Sequence, residues 1–300
     1  MSQLTAPAVR RGRHAAAATR VSPATRSPLR RDIEGLRAVA VLLVVAYHCG
    51  LPWITGGYVG VDVFFVISGF LITGLLLREI RAHGTVSIPR FYARRAMRLL
   101  PAATVVVVAT AAASAYWLPP LRRTGILLDA LHTTIYAINY RLAAIGTDYL
   151  GAEAEPSPLQ HFWSLAVEEQ FYLVWPPLLL AAAVGLRRRP RSGQINPNRI
   201  NTTRVYAVLA AVVAGSLLLS VWQTRHNAGW AYFGAHTRAW ELGIGALLAM
   251  GAGALRRMPR RFAAALGLAG LVAIAGSAIG YSPTTPFPGP AAGGWPRRWR

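Results

Sequence analysis

The chain has no lysine, one cysteine and few acidic residues. All 32 basic residues are arginine, 11 residues are acidic, and charged residues make up only 14% of the 300 residues. Soluble domains carry about 25% charged residues, so this composition argues against a soluble domain. The single Cys49 excludes an intrachain disulfide framework and a cysteine-based zinc site, and we expect no bound metal.

Hydrophobic residues, by contrast, make up 54% of the chain and fall into long runs. The segment 124–145 is apolar on average but polar in places, so we predict an interfacial or re-entrant helix there. The predicted fold is an all-α, polytopic membrane helical bundle with about seven to eight spans. Seven runs approach the length of about 20 residues that crosses a bilayer: 38–54, 59–77, 99–118, 163–185, 204–222, 238–255 and 262–280.

The distribution of arginine orients these spans. With the N-terminus inside, the inner segments hold 24 arginines, the outer segments hold 5, and the last residues of the chain hold 3. Arginine-rich loops stay on the cytoplasmic side, so the pattern predicts a multi-pass membrane protein with a cytoplasmic N-terminus. A further span at 124–145 would place later arginine clusters outside, and we reject it. Because the arginines lie between apolar runs, nucleic acid is not an expected partner.

The two ends of the chain differ from the middle. Residues 1–31 are rich in alanine, arginine, serine and proline, and we predict a disordered basic cytoplasmic tail. Residues 32–290 form the predicted membrane domain. Residues 291–300 are an atypical tail, because their three arginines fall on the predicted outer side, against the charge rule.

Polar residues recur near the predicted outer ends of several spans. Arg37 and His48 are eleven residues apart, which places them on one face of a helix about 16 Å apart. Asp62 enters the second span from the outer side. The fourth span carries Glu169 beside a stripe of polar residues at helical spacing, formed by His161, Ser164, Glu168 and Tyr172.

The sixth span begins with Arg238 and Glu241 at i, i+3 spacing, which predicts an ion pair. Ionisable groups inside a bilayer are costly, by at least about 2.5 kcal/mol each, unless they pair or line a wet cavity. One interpretation is structural: Arg238 pairs with Glu241, and His48 is an interhelical hydrogen bonder. Several polar groups at one depth favour the other interpretation, a functional cavity.

The predicted cytoplasmic loop VSIPRFYARRAMRLLP has a different pattern. Arginines alternate with aromatic and apolar residues between Pro89 and Pro101, which predicts a basic amphipathic helix on the inner membrane face. Attraction to anionic lipid would explain this pattern. Alternatively, Arg95 and Arg98 present two guanidinium forks that could clamp a polyphosphate.

Five ordered motifs resemble the acyltransferase type 3 family of bacterial membrane O-acyltransferases. They read RDIEGLRAVAVLLVVAYH, GGYVGVDVFFVISGFLITGLL, FYARRAMRLLP, SPLQHFWSLAVEEQFYLVWP and HTRAWELGIGALLA. The resemblance implies a plasma (inner) membrane enzyme that transfers an acyl group, often acetyl, from cytoplasmic acyl-CoA to a hydroxyl. The implied acceptor is an envelope glycan or a lipid-linked molecule, and the implied co-substrate is acetyl-CoA without a permanently bound cofactor.

The resemblance also implies roles for individual residues. Arg37 and His48 correspond to the family's essential arginine–histidine pair, and Arg95 and Arg98 to its donor-binding arginines. We expect His48 to act as general base or as acyl carrier, oriented by Glu168 or Glu169. The supporting polar residues are expected to be Asp62, His161, Arg238 and Glu241.

The subgroup with the most similar motifs continues into further spans and an SGNH-type domain. The resemblance therefore predicts that residues 32–290 are incomplete at the C-terminus. Two alternatives stay open at this point: a transporter or channel whose polar stripe moves a solute, and an inactive remnant of an acyltransferase. Membrane lipid is an expected partner, whereas the oligomeric state does not follow from the sequence.

Overall fold

The computed structural model describes residues 30–83, 85–146, 156–184 and 201–289. These residues form helices and turns, so the predicted all-α membrane bundle is confirmed. The predicted tail at 291–300 and nearly all of the tail at 1–31 lie outside the described residues. The helices are α1 (Arg31–His48), α2 (Gly60–His83), α3 (Ile88–Trp117), α4 (Pro120–Thr134), α5 (Ile138–Ile145), α6 (Phe162–Val184), α7 (Thr202–His226), α8 (Ala228–Phe233), α9 (Ala235–Leu255) and α10 (Arg260–Gly280).

Each predicted span coincides with one of the longer helices. Three of these helices, α1, α6 and α9, each carry at least two charged residues and are not among the segments apolar enough to cross a membrane, so the count of seven spans remains a prediction. Within the described part of the chain, four segments are both long enough and apolar enough to cross a membrane: Gly57–His83, Ile88–Trp117, Thr202–His226 and Arg260–Gly280.

The boundaries of α1 follow from charge at one end and from backbone geometry at the other. Hydrogen bonds from Arg30 lower the pKa of the Asp32 carboxyl to about 2. A negative charge in the first turn stabilises the helix, because the N-terminal end of the helix dipole carries a partial positive charge. The predicted end of this span at residue 54 is wrong, because α1 stops at His48. Gly50 has a φ of +69°, the left-handed conformation that glycine adopts without cost and that ends a helix.

The predicted amphipathic helix at the inner membrane face is not a separate element. Pro101 was expected to close it, but α3 runs through Pro101 as one helix of 30 residues. A proline removes one backbone hydrogen bond and usually bends a helix, and apolar sequence on both sides lets the helix continue. At 1.5 Å per residue α3 is about 45 Å long, which exceeds a hydrocarbon core of about 30 Å. Its arginine-bearing first turns therefore extend beyond the apolar part.

The segment 124–145 divides into α4 and α5, joined by a turn at Tyr136, whose φ is 53°. The two helices have 15 and 8 residues. They are therefore about 22 and 12 Å long, and neither can cross the hydrocarbon core alone. This division agrees with excluding the segment from the spans.

The centre of the bundle is the contact between α2 and α9, and α7 packs along the other side of α9. The α2 and α9 backbones touch directly. A Cβ added to Gly69 would lie 1.9 Å from the Leu242 carbonyl oxygen, and one added to Gly245 would lie 2.0 Å from the Val66 carbonyl oxygen. Glycine is needed at both positions because any side chain would separate the helices. Close contact through small residues is a usual way for membrane helices to pack.

The outer helices present apolar side chains instead. Leu266 and Val272 on α10 are 61% and 62% exposed, and Val105 on α3 is 68% exposed. Helix α10 joins the rest of the described fold near its C-terminal end, where the Gly56 N–H donates to the Ala278 carbonyl at 2.9 Å. Such surfaces suit lipid contact, in agreement with a membrane bundle.

Candidate active site

A cleft of about 840 Å³ opens at the end of the bundle where α1 finishes and α6 begins. We call it the His48 cleft. The segment that follows α10 forms one of its walls, since the Tyr58 hydroxyl donates to the Ser282 carbonyl at 3.2 Å and Thr284, Thr285 and Phe287 line the cavity. Its polar and aromatic lining also includes Tyr47, His48, Tyr58, His161, Trp163, Ser164, Thr224 and Tyr232.

His48 ends α1, and its imidazole is fixed by the helix itself. Its Nδ1 lies 2.8 Å from the Val44 carbonyl oxygen. A carbonyl oxygen can only accept, so Nδ1 must carry the proton and donate. The neutral ring therefore keeps its lone pair on Nε2. The Tyr47 ring packs edge-on against the imidazole, with 5.1 Å between the ring centroids. His48 is thus an oriented imidazole at the edge of the cleft.

His161 lies directly before α6 and faces the same cleft. Its Nδ1 is 3.1 Å from the Pro158 carbonyl oxygen, so the same reasoning leaves its lone pair on Nε2. The Ser164 hydroxyl donates to the His161 carbonyl oxygen at 3.4 Å. Two predicted site residues from distant parts of the sequence are therefore brought together in one cavity.

Arg37 is not in contact with His48, although both residues lie on α1. The Arg37 Nη1 is 3.3 Å from the Glu34 Oε1 in an exposed pair one turn away. The eleven-residue separation corresponds to about 16 Å along the axis. Arg37 therefore lies towards the opposite end of α1 from the His48 cleft.

Glu168 and Glu169 lie deeper along α6 than His161, by about 11–12 Å at 1.5 Å per residue. The Ser68 hydroxyl on α2 donates to the Glu168 Oε1 at 2.8 Å. Glu169 pairs with Arg95. Both glutamates and His48 are among the described residues, and neither carboxylate is hydrogen bonded to His48. The expected orienting contact is absent because α6 carries the two carboxylates past the cleft.

The Arg95 guanidinium contacts two residues, the Glu169 carboxylate along one edge and the Tyr172 ring on one face. Its Nε is 3.3 Å from the Glu169 Oε2, and its Nη2 pairs with the other oxygen of that carboxylate. Its guanidinium carbon lies 3.9 Å from the centroid of the Tyr172 ring. These contacts leave Nη1 without a protein partner among the described contacts of Arg95, whereas Arg98, one turn further along α3, is exposed. We refer to Arg95 and Glu169 as the Arg95 pair.

The third group of charges is buried behind the wall of the His48 cleft. The Arg238 Nη2 on α9 is 2.8 Å from the Asp62 Oδ1 on α2, and Nη1 is 3.3 Å from the Glu241 Oε1. The predicted pair of Arg238 and Glu241 is confirmed. That contact is an ion pair rather than a hydrogen bond, and among the described residues neither Glu241 oxygen has a hydrogen-bond donor. These three residues are the Arg238 cluster.

Four aromatic rings surround the Arg238 guanidinium, with 5.3–5.7 Å from its carbon to the ring centroids: Phe65, Trp163, Tyr232 and Phe287. Three of them also line the cleft. Burial raises the pKa of the Tyr232 hydroxyl, so this residue stays neutral at physiological pH. The contacts between Asp62 and Arg238 and between Phe287 and the cleft were not predicted, because nothing local in the sequence joins residues so far apart.

The comparisons with known proteins agree with the sequence motifs. A family model described as an acyltransferase domain matches residues 30–296. Peptidoglycan O-acetyltransferase OatA of Listeria monocytogenes is 35% identical over 252 residues, covering 81% of this chain and 38% of the relative. YrhL of Bacillus subtilis, provisionally named a peptidoglycan O-acetyltransferase, is 34% identical over 219 residues, covering 73% of this chain and 32% of the relative.

The chain thus spans about a third of the length of these curated relatives. No solved structure shows a significant match to the chain. The family model nevertheless covers nearly all of the sequence, including every residue of the His48 cleft, the Arg95 pair and the Arg238 cluster. The chain belongs to the acyltransferase type 3 family.

Proposed function

We propose that the protein transfers an acyl group, in particular acetyl, from a cytoplasmic CoA thioester to a hydroxyl of an envelope glycan such as peptidoglycan. The observation that carries this proposal is His48. It presents an unprotonated Nε2 at a cleft large enough for a sugar ring, in a chain of the acyltransferase family. The names of the relatives OatA and YrhL support peptidoglycan as the acceptor.

The donor and acceptor enter from opposite ends in this proposal. The Arg95 pair and Arg98 lie on the predicted cytoplasmic side, where Arg98 and the remaining Nη1 of Arg95 bind donor phosphates. Glu169 holds Arg95 in place for that contact. Glu169 is about 12 Å along α6 from His161, so an extended donor reaches the His48 cleft from the arginines.

The acceptor side uses the lining of the cleft. Aromatic rings such as Tyr58 and Trp163 stack on the apolar faces of sugars, and the hydroxyls of Thr284 and Thr285 supply hydrogen bonds. His48 faces the same cavity, which places its Nε2 where a sugar hydroxyl and the acyl carbonyl meet. The protein is proposed to lie in the plasma membrane with the His48 cleft on the outer side.

Inverted membrane vesicles loaded with muramidase-released peptidoglycan fragments test the proposal. Acetyl-labelled acetyl-CoA is added outside, and alkali-labile label on the fragments is measured. We expect ester formation by the wild-type protein and a loss of about 100- to 10,000-fold in His48→Gln. The matched control is His226→Gln, because the His226 Nδ1 makes the same bond to the Trp222 carbonyl at 2.7 Å but lies outside the cleft.

The same vesicles separate the alternatives. A transporter would move a solute without placing label on the fragments in covalent form. An inactive protein would give no ester in any variant. Equal ester formation by His48→Gln and the wild type would contradict the role of His48 even if the overall activity were present.

A further inference from the structure

Two imidazoles line the His48 cleft. An acyl transfer in two steps needs two such groups, one to carry the acyl group and one to act as base. His48 comes from the end of α1 and His161 from the start of α6, and both line the same cavity. In each ring a backbone carbonyl accepts the Nδ1 proton, at 2.8 Å for His48 and 3.1 Å for His161. Each ring therefore keeps a single lone pair, on Nε2.

This tautomer limits what His48 can do alone. Once its Nε2 is bonded to an acyl carbon, the ring has no free lone pair. Its Nδ1 keeps its proton, which it donates in a hydrogen bond to the Val44 carbonyl oxygen. An acyl-bearing His48 therefore cannot remove the proton from an acceptor hydroxyl, and a second base is required for that step.

The nearest carboxylates already have partners outside the cleft. Asp62 pairs with Arg238, and Glu168 accepts from Ser68. The remaining titratable groups that line the described part of the cleft are Tyr47, Tyr58 and Tyr232. A tyrosine is protonated at neutral pH and is a poor base there. Besides His48, His161 is the one group in the described lining whose ordinary pKa lies near neutrality.

We propose that His161 is the acceptor base of this site and that His48 is the acyl carrier. This inference rests on the proposed acyl transfer and assigns the two halves of that reaction to two residues. It also accounts for the polar stripe on α6, since His161 and Ser164 of that stripe face the cleft while Glu168 faces Ser68.

The two half-reactions conserve bonds and protons. The His48 Nε2 attacks the thioester carbonyl, the carbon–sulfur bond breaks, and the sulfur leaves as a thiolate that takes a proton from water. The acceptor oxygen then attacks the acyl carbon while its proton passes to the His161 Nε2. The carbon–Nε2 bond breaks, and its electron pair returns to His48. His161 releases the proton to water in the cleft, so the net products are an ester and a thiol.

The first experiment separates the half-reactions in purified protein in detergent. Acetyl-labelled acetyl-CoA without acceptor should release one equivalent of CoA and leave label on the wild-type protein and on His161→Gln. His48→Gln should release none. With peptidoglycan fragments added, His161→Gln should turn over about 100-fold or more slowly than the wild type. Retention of wild-type turnover by His161→Gln would overturn the proposal.

The second experiment tests base catalysis rather than structure. Trifluoroethanol and ethanol are of similar size, but trifluoroethanol is much the stronger acid and needs less help from a base. His161→Gln should lose far more activity with ethanol than with trifluoroethanol, and added imidazole should restore activity to His161→Gly. An equal loss with both alcohols, without rescue by imidazole, would assign His161 a purely structural role.

The controls keep the outcomes distinct. His132→Gln removes an imidazole with the same carbonyl contact, 2.7 Å to Leu128, outside the cleft, and should behave as the wild type. Absence of CoA release and of ester in the wild-type protein would refute the proposed function itself. Normal transfer without any protein-bound label would refute only the division between carrier and base.

Discussion

Two of the arginines that pair with carboxylates, Arg238 and Arg95, differ in their access to solvent. In the Arg238 cluster the side chains of Arg238 and Glu241 are each 1% exposed, and aromatic rings close the cluster on several sides. In the Arg95 pair the two side chains are 24% and 18% exposed. A fully buried charge cannot meet a ligand, whereas a partly exposed one can. We therefore infer that the Arg238 cluster stabilises the fold, and the exposure of the Arg95 pair supports the proposed contact with the donor.

The largest expected effect follows from removing the buried cation. Arg238→Met leaves Asp62 and Glu241 without their positive partner and should cost about 3–5 kcal/mol of folding free energy. The same change at the partly exposed Arg95 should cost about 1 kcal/mol or less. Thermal unfolding of the purified proteins in detergent measures both. Equal losses of folding free energy in the two variants would contradict the distinction between a buried structural arginine and a partly exposed one.

A second large effect concerns the α2–α9 contact that brings Asp62 to Arg238. Gly69→Ala and Gly245→Ala would force a Cβ to within 2.0 Å of a backbone oxygen and should cost about 1–3 kcal/mol or more, because helix backbones must separate. The matched controls are Gly74→Ala on α2 and Gly251→Ala on α9, where no backbone atom of another helix approaches. These controls should be neutral or slightly stabilising, since alanine favours a helix. Equal thermal stability of all four variants would show that the contact is looser than described.

An effect on binding rather than on folding is expected at the donor arginines. Arg95→Gln combined with Arg98→Gln should raise the KM for acetyl-CoA, with each lost charge-assisted contact costing about 1.5–3 kcal/mol. The KM for the acceptor should change little. Arg94→Gln is the control, because the Arg94 guanidinium is directed to Glu79 at 3.7 Å. An unchanged donor KM in the double variant would leave these arginines as lipid contacts only.

The smallest effect is on chemical labelling alone. It tests which side of the membrane the His48 cleft and the Arg95 pair face. Cys49 follows His48 and is exposed, so an impermeant maleimide should label it in intact cells. Thr85 lies in the turn before α3, on the side of the Arg95 pair. In a Cys49→Ser background, Thr85→Cys should be labelled only after the membrane is permeabilised. Labelling of Thr85→Cys in intact cells would contradict the proposed topology.

Local patterns predicted much of this molecule. Apolar runs located the long helices to within a few residues at most ends, and i, i+3 spacing predicted the pair of Arg238 and Glu241. The errors also have local causes. Gly50 ended α1 early, and Pro101 did not end α3 because apolar sequence continues on both sides.

The contacts that distinguish the two arginines could not be predicted in this way. Asp62 and Arg238 are 176 residues apart, and Arg95 and Glu169 are 74 apart. No periodicity relates such positions, because their meeting depends on which helices become neighbours. The sequence alone therefore predicted a contact of Glu168 or Glu169 with His48, whereas in the structure Glu168 bonds to Ser68 and Glu169 to Arg95.

The backbone contact between α2 and α9 also determines which parts of the protein can move. Two helices that interlock through Gly69 and Gly245 cannot slide past each other by even one residue without a clash. With α7 packed along α9, they form a block whose amide protons should exchange with solvent slowly. Helix α10 is attached near one end and α3 is largely exposed, so local opening should cost less at the periphery of the bundle than in this block.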